Sequence, residues 1–186
     1  MVEKRDTKEK ILRAALEMFT ESSYSTVTID DIAKRAGVSK GGVFHYFDSK
    51  LQLAKKALVL GVKMLWAKNI DEQLDGCKTP AEKVWVIIDN SLSGIIEQSK
   101  LMRFINDMYT YCKDESGTME SIKNIWEEHI KIVKTTLSEV GVSNPGLKSR
   151  ILCACIDGLI YQILTFQELK INLDSLKKEI YDLFVK

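Results

Sequence analysis

The sequence predicts an all-α fold: an N-terminal three-helix domain with a helix-turn-helix, then a larger helical domain, about nine helices in total. Three observations predict it. Apolar residues recur at helical spacing along almost every segment, while sustained apolar and polar alternation is absent. Helix start and stop signals divide the chain at regular intervals, and both prolines, Pro80 and Pro145, stand where periodic segments begin. No internal repeat and no low-complexity linker interrupts this pattern.

The first helix is expected to begin near Asp6, with Glu9 at capping-box spacing. It places Ile11, Leu12, Ala15, Leu16, Met18 and Phe19 on one broad face. SSYS at 22–25 breaks it. Thr28 then precedes IDDIAKRA with Asp31 at the third position, an N-cap followed by acidic residues that suit the positive helix end. Gly37 ends this short helix and Ser39 caps the next, Lys40 to Phe47, which gives helix, glycine-containing turn, helix. Ser49, with Gln52, opens a fourth helix that buries Leu53, Ala54, Ala57, Leu58, Gly61 and Leu65 and runs to about residue 74. TPAE at 79–82 starts another, to about Gln98, and two more follow over roughly 100–112 and 117–140. Asn144 and Pro145 start the next, and a last helix begins near Asp174. The domains are expected at 1–48 and 49–186.

Composition narrows the function classes. The 186 residues are 45% hydrophobic, enough for one sizeable core or for a small and a larger one. The longest apolar runs, such as ALVLGV at 57–62, are too short for a bilayer and no secretory leader opens the chain, so the expected location is cytoplasmic, without a membrane. Cys77, Cys112, Cys153 and Cys155 form no CxxC pair and have no nearby histidine, so neither a metal site nor a disulfide framework is expected. Net charge is +1, yet residues 1–56 hold 11 Lys or Arg against 8 Asp or Glu, while the rest holds 16 against 18. The basic excess lies with the helix-turn-helix.

The second helix of such a motif can enter the major groove. Val43 and Phe47 lie on one face and are expected to pack inward, leaving Lys40, Gly42, Phe44, His45 and Tyr46 outward. Lys40 and Lys50 each follow a capping serine, at the helix end where a cation is mildly unfavourable, which suggests an anion outside the protein. Gly41 and Gly42 let backbone approach a groove wall. Solvated lysines, a packed surface histidine and a tolerated glycine pair are the plainer readings of the same residues.

Residues 28–53, TIDDIAKRAGVSKGGVFHYFDSKLQL, resemble the DNA-binding signature of the TetR family of transcriptional regulators, at Thr28, Ile32, Ala33, Ala36, Gly37, Val38, Ser39, Gly41, Phe44, Tyr46, Phe47, Ser49, Lys50 and Leu53. The resemblance implies a dimer, a small-molecule effector bound in the larger domain, no other cofactor, and release from palindromic double-stranded DNA when the effector binds. By position it implies phosphate contacts from Thr28, Lys40, His45, Tyr46 and Lys50 and base-edge contacts from Lys40, Gly42 and Phe44, with Ser39 and Gly41 in the same surface. Many members carry tyrosine at the place of Phe44, so apolar contact with a thymine methyl replaces any hydroxyl contact there.

In the larger domain, ILCACIDGLIYQILTF at 151–166 is apolar nearly all round and must be buried on more than one side. One side can pack on its own domain and the other on the same helix of a second copy, with Cys155, Asp157, Gly158, Leu159, Tyr161 and Gln162 as the expected dimer interface; the segment also resembles the penultimate helix of TetR-type dimers. A fully buried helix of a monomer is the alternative. Trp66, Trp85, Met102, Met108, Tyr109, Trp126 and His129 are candidates for an apolar effector pocket, with Asp89 and Asp107 as further polar groups, although such residues at helical spacing also build cores.

Two other classes remain open. An enzyme with an appended helix-turn-helix is opposed by residues 57–186, which show no nucleophile set or phosphate-cradling loop and hold His129 as their one histidine; no catalytic residue is expected. A protein-interaction adaptor that kept the fold but not DNA binding is opposed by the intact Lys40, His45, Tyr46 and Lys50. Repression and activation are not separable from these residues.

Overall fold

Ten helices occupy the described residues of the computed structural model, 2–66, 70–93, 95–112, 116–166 and 171–185, and no strand occurs among them. In order they are α1 (Val2–Glu21), α2 (Ile29–Ala36), α3 (Lys40–Phe44), α4 (Lys50–Trp66), α5 (Ile70–Asp75), α6 (Pro80–Ser93), α7 (Ile95–Cys112), α8 (Ser116–Glu139), α9 (Pro145–Thr165) and α10 (Leu173–Val185).

Several ends differ from the expected ones for local reasons. α1 starts four residues before Asp6, because Asp6 and Glu9 serve as i, i+4 partners of Lys10 and Arg13, at 2.8 and 2.7 Å, and not as a start signal. α3 stops at Phe44 and His45–Tyr46 form a turn; with two of five helical residues glycine, propagation is weak. The expected fourth helix is divided into α4 and the short α5, on either side of residues outside the description. Ser49 and Thr79 do accept the third-position N–H groups, from Gln52 and Glu82, at 3.1 and 3.2 Å. The reciprocal bonds of Gln52 and Glu82 fall on the N–H groups of Asp48 and Lys78, one residue before each cap.

The chain forms two compact units. The first comprises Met1–Leu65 with Lys100–Lys123, so most of α4, most of α7 and the start of α8 join the N-terminal helices, whereas the sequence reading divides the chain at 48/49. Its buried residues include Ile11, Ala15 and Phe19 on α1, Ile32 on α2, Val43, Phe47, Leu53 and Leu58, and Phe104 and Met108 on α7. Phe19 stacks on Phe104 with ring centroids 5.2 Å apart. At Gly61 a Cβ would lie 2.8 Å from the ends of Leu16 and Leu101, so the missing side chain lets α1, α4 and α7 meet closely.

The second unit comprises Trp66–Ser99 with Asn124–Lys186. Val84, Ile88, Leu92, Val133, Leu137, Leu152, Ile156 and Ile180 form its apolar centre, from α6, α8, α9 and α10. Lys177 of α10 is buried there, with its Nζ 2.7 Å from Asp89 Oδ1 and donating to Ser93 Oγ at 3.0 Å. Paired in this way, the ammonium fixes α10 on α6. Burial pushes the Cys153 thiol up to about 12, so it packs as a small apolar group.

Among the described residues, α9 keeps one stripe exposed. Leu152, Cys153, Ile156 and Ile160 are buried, while Leu147, Ile151, Ala154, Asp157 and Tyr161 face solvent at i, i+3 and i+4 spacing.

Candidate nucleic-acid interface

Thr28 caps α2 by reciprocal bonds. Its hydroxyl accepts the Asp31 N–H, and Asp31 Oδ2 accepts the Thr28 N–H, both at 3.2 Å. The Thr28 hydroxyl also donates to Asp31 Oδ2, and this bond first, then the backbone N–H bond, hold the Asp31 carboxyl below its usual range, so the cap is complete near neutral pH and weakens only as acid titrates that lowered group. Gly37 ends α2 at φ 69°, a left-handed conformation that a side chain resists, and the chain turns into α3. Ser39 Oγ then accepts the Gly42 N–H at 3.1 Å. Caps at both ends of a short turn set the angle between α2 and α3.

Val43 and Phe47 are buried and hold α3 from below, as their four-residue spacing predicts. Above them Phe44 is 45% exposed, beside exposed Ser39, Lys40, Gly41 and His45 and half-buried Gly42 and Tyr46. His45 and Tyr46 meet edge to face at 4.9 Å. The nine residues expected at DNA all lie in the first unit: Thr28 at the start of α2, seven residues from the α3 cap through its following turn, and Lys50 at the start of α4.

The lysines have partners that sequence spacing does not reveal. Lys40 Nζ donates to Asp30 Oδ2 at 2.7 Å, an exposed pair that phosphate can replace at little cost. Lys50 Nζ lies 4.4 Å over the Tyr24 ring and donates to the Ser25 carbonyl at 3.4 Å. Desolvation holds its pKa below the usual lysine value, with Asp107 opposing the shift. Asp30, Tyr24 and Asp107 complete the surface's electrostatics without carrying any motif signal.

The effector candidates are distributed differently. Met102, Met108 and Tyr109 lie in the first unit, where Met108 is wholly buried and Tyr109 is 55% exposed. Trp85, Trp126 and His129 lie in the second, and the Trp66 side chain lies outside the described residues. Asp89 is committed to Lys177 and Asp107 to the Tyr24 N–H. The Arg150 guanidinium covers Trp126 at 5.2 Å, and burial lowers the His129 pKa, which keeps it neutral near pH 7. A cavity of about 640 Å³ in the second unit includes Trp85 alone among the six candidates whose side chains are described; it is lined also by Glu72, Cys77, Glu82 and Tyr181. Trp85 and Tyr181 meet edge to face there at 5.6 Å.

Among the described residues no group of His, Cys, Asp and Glu could hold a metal, and no helix is long and apolar enough to cross a membrane.

Comparison with known proteins places this geometry in a family. Residues 11–57 match the model described as bacterial regulatory proteins, tetR family. The HTH-type transcriptional regulator SrpR of Pseudomonas putida is 31% identical over 94 residues, covering 44% of this chain and 44% of SrpR. The uncharacterized HTH-type transcriptional regulator TtgW, also of Pseudomonas putida, is 30% identical over 94 residues, covering 44% of this chain and 70% of TtgW. The chain therefore spans less than half the length of one relative and more than two thirds of the other. Over the whole fold, a Saccharomonospora viridis protein named as a transcriptional regulator and solved in complex with choline aligns with a TM-score of 0.79 at 19% identity, over 96% of this chain and 95% of that one. With its capped α2–turn–α3 and exposed face around Phe44, the chain belongs to the tetR family of bacterial regulatory proteins.

Proposed function

We propose that the protein is a sequence-specific transcriptional repressor, dimeric on a palindromic operator and released from it by a small molecule. The surface of Lys40, Gly42, Phe44 and His45 over buried Val43 and Phe47 carries this reading, because it offers a lysine ammonium and an exposed apolar side chain on a helix narrow enough for a major groove. The second copy is proposed to seat on the open face of α9, which bears Leu147, Ile151, Gly158, Tyr161 and Gln162. Twofold symmetry then sets two recognition helices about one DNA turn apart, roughly 34–36 Å.

For the effector, the cavity beside Trp85 and Tyr181 supports an organic cation: among the described residues its lining has two carboxylates, Glu72 and Glu82, two aromatic rings and no lysine or arginine. The choline bound by the Saccharomonospora viridis protein is of that class. Operator must weaken effector binding by the factor with which effector weakens operator binding. A cation that binds tightly yet leaves operator affinity unchanged refutes this coupling.

The testing experiment is selection of bound duplexes from a random-sequence pool by the purified protein without effector, at about 0.1 M salt. Recovery of one palindromic motif is expected. Recovery of nothing by folded protein would favour an adaptor that kept the fold without DNA binding. With a motif in hand, Lys50→Ala is expected to weaken binding to all duplexes alike and flatten the salt dependence of log K by about one unit. Phe44→Ala is expected to change base preference instead. Equal effects of both substitutions on selected and scrambled duplexes would remove Phe44 from base readout.

A further inference from the structure

Lys50 is held by a helix more than forty residues beyond the DNA-binding motif. Asp107, half-buried on α7, accepts the backbone N–H of Tyr24 in the turn between α1 and α2, across a separation of 83 residues. The Tyr24 ring packs on Tyr111 of the same helix, centroids 4.6 Å apart, and on Phe19 at 5.8 Å, while Phe19 stacks on Phe104. Three α7 side chains thereby fix the turn that supports Lys50. On that turn the ammonium finds a ring face, the Ser25 carbonyl and the charge of Asp107.

These contacts compete with DNA. An ammonium resting on a ring and drawn by a carboxylate must give up both to meet a phosphate. Lys40 differs, because its partner Asp30 is exposed on α2 and does not depend on α7. Resting on the DNA-binding reading above, we propose that Asp107 is a positioning residue that restrains Lys50 in the free protein, so that the placement of α7 tunes affinity for any DNA duplex.

Asp107→Asn separates charge from geometry, since the amide oxygen still accepts the Tyr24 N–H. Binding to a scrambled-sequence duplex is measured over a range of salt for the wild type, Asp107→Asn, Lys50→Ala and the double variant. Asp107→Asn is expected to raise affinity about two- to five-fold, the scale of one weak charge pair, at unchanged salt slope because the phosphates touched are the same. In the Lys50→Ala background the gain should vanish. A gain of equal size in that background would show that Asp107 merely repels DNA, and a loss of affinity would show that its charge supports the surface; either overturns the proposal. If Lys50→Ala itself loses nothing, the phosphate role of Lys50 fails and this proposal with it. Tyr24→Leu removes the ring and keeps the Asp107 bond to the backbone; it too should raise affinity, and wild-type affinity there would exclude the ring as Lys50's seat.

Discussion

Ile151→Asp on α9 is expected to leave a folded monomer whose operator affinity is lower by about 10²- to 10⁴-fold, the avidity lost when two linked recognition helices become one. Ile151 is 49% exposed in the single chain, so a carboxylate there meets water and costs little in folding. The same carboxylate in a twofold contact is buried from both copies at once, beside Leu147, Ala154 and Tyr161 of the open stripe. Sedimentation should show the 21.2 kDa chain alone, where the wild type shows twice that mass. Affinity for a scrambled duplex should fall much less than affinity for the operator. A variant that sediments at the dimer mass would place the interface on another face.

Asp157 lies within that stripe, and the atoms crowding it raise its carboxyl pKa although the side chain reaches solvent. The sequence reading expects Cys155, Asp157, Gly158, Leu159, Tyr161 and Gln162 at a dimer interface; Asp157, Tyr161 and Gln162 are exposed, Cys155, Gly158 and Leu159 are half-buried, and the exposed Leu147, Ile151 and Ala154 lie outside that expectation. An apolar helix with two faces carries no periodic mark of which face its own domain takes. The solvent stripe emerges only once α9 has packed against α6 and α10.

Features set by neighbours in sequence were readable in advance. Thr28 with Asp31, Ser39 with Gly42 and Thr79 with Glu82 are side chain to backbone bonds across three residues, so residue type and spacing nearly determine them. The inward Val43 and outward Phe44 follow from helical period in the same way, while Phe47, beyond the end of α3, is buried with its N–H on the Val43 carbonyl at 3.0 Å. What spacing cannot reveal is pairing across the fold. Asp89 and Asp107 looked alike as candidate polar groups of a pocket, yet one neutralises Lys177 and the other holds Tyr24. The effector candidates divide for a related reason: large side chains at helical spacing do not say which of two cores they join, nor that they are buried at all, since Tyr109 is 55% exposed.

Phe104→Ala is expected to cost about 3–5 kcal/mol, the range for removing a buried aromatic ring, against a typical total of roughly 5–15 kcal/mol for a folded chain. Phe104 is 1% exposed and stacks on Phe19, itself 2% exposed on α1, so the cavity would open between α7 and the N-terminal helices. Urea unfolding should show the loss as a lower midpoint at similar slope. Phe104→Leu keeps most of the volume and should lose much less. Hydrogen exchange locates the effect: if α7 belongs to the same cooperative unit as α1 and α2, amides of residues 11–36 should exchange faster in step with those of residues 100–112. Faster exchange confined to α6, α9 and α10 would instead assign α7 to the second unit's stability. The first outcome would make the DNA-binding surface energetically dependent on α7, the condition under which a ligand that moves α7 could act on Lys50.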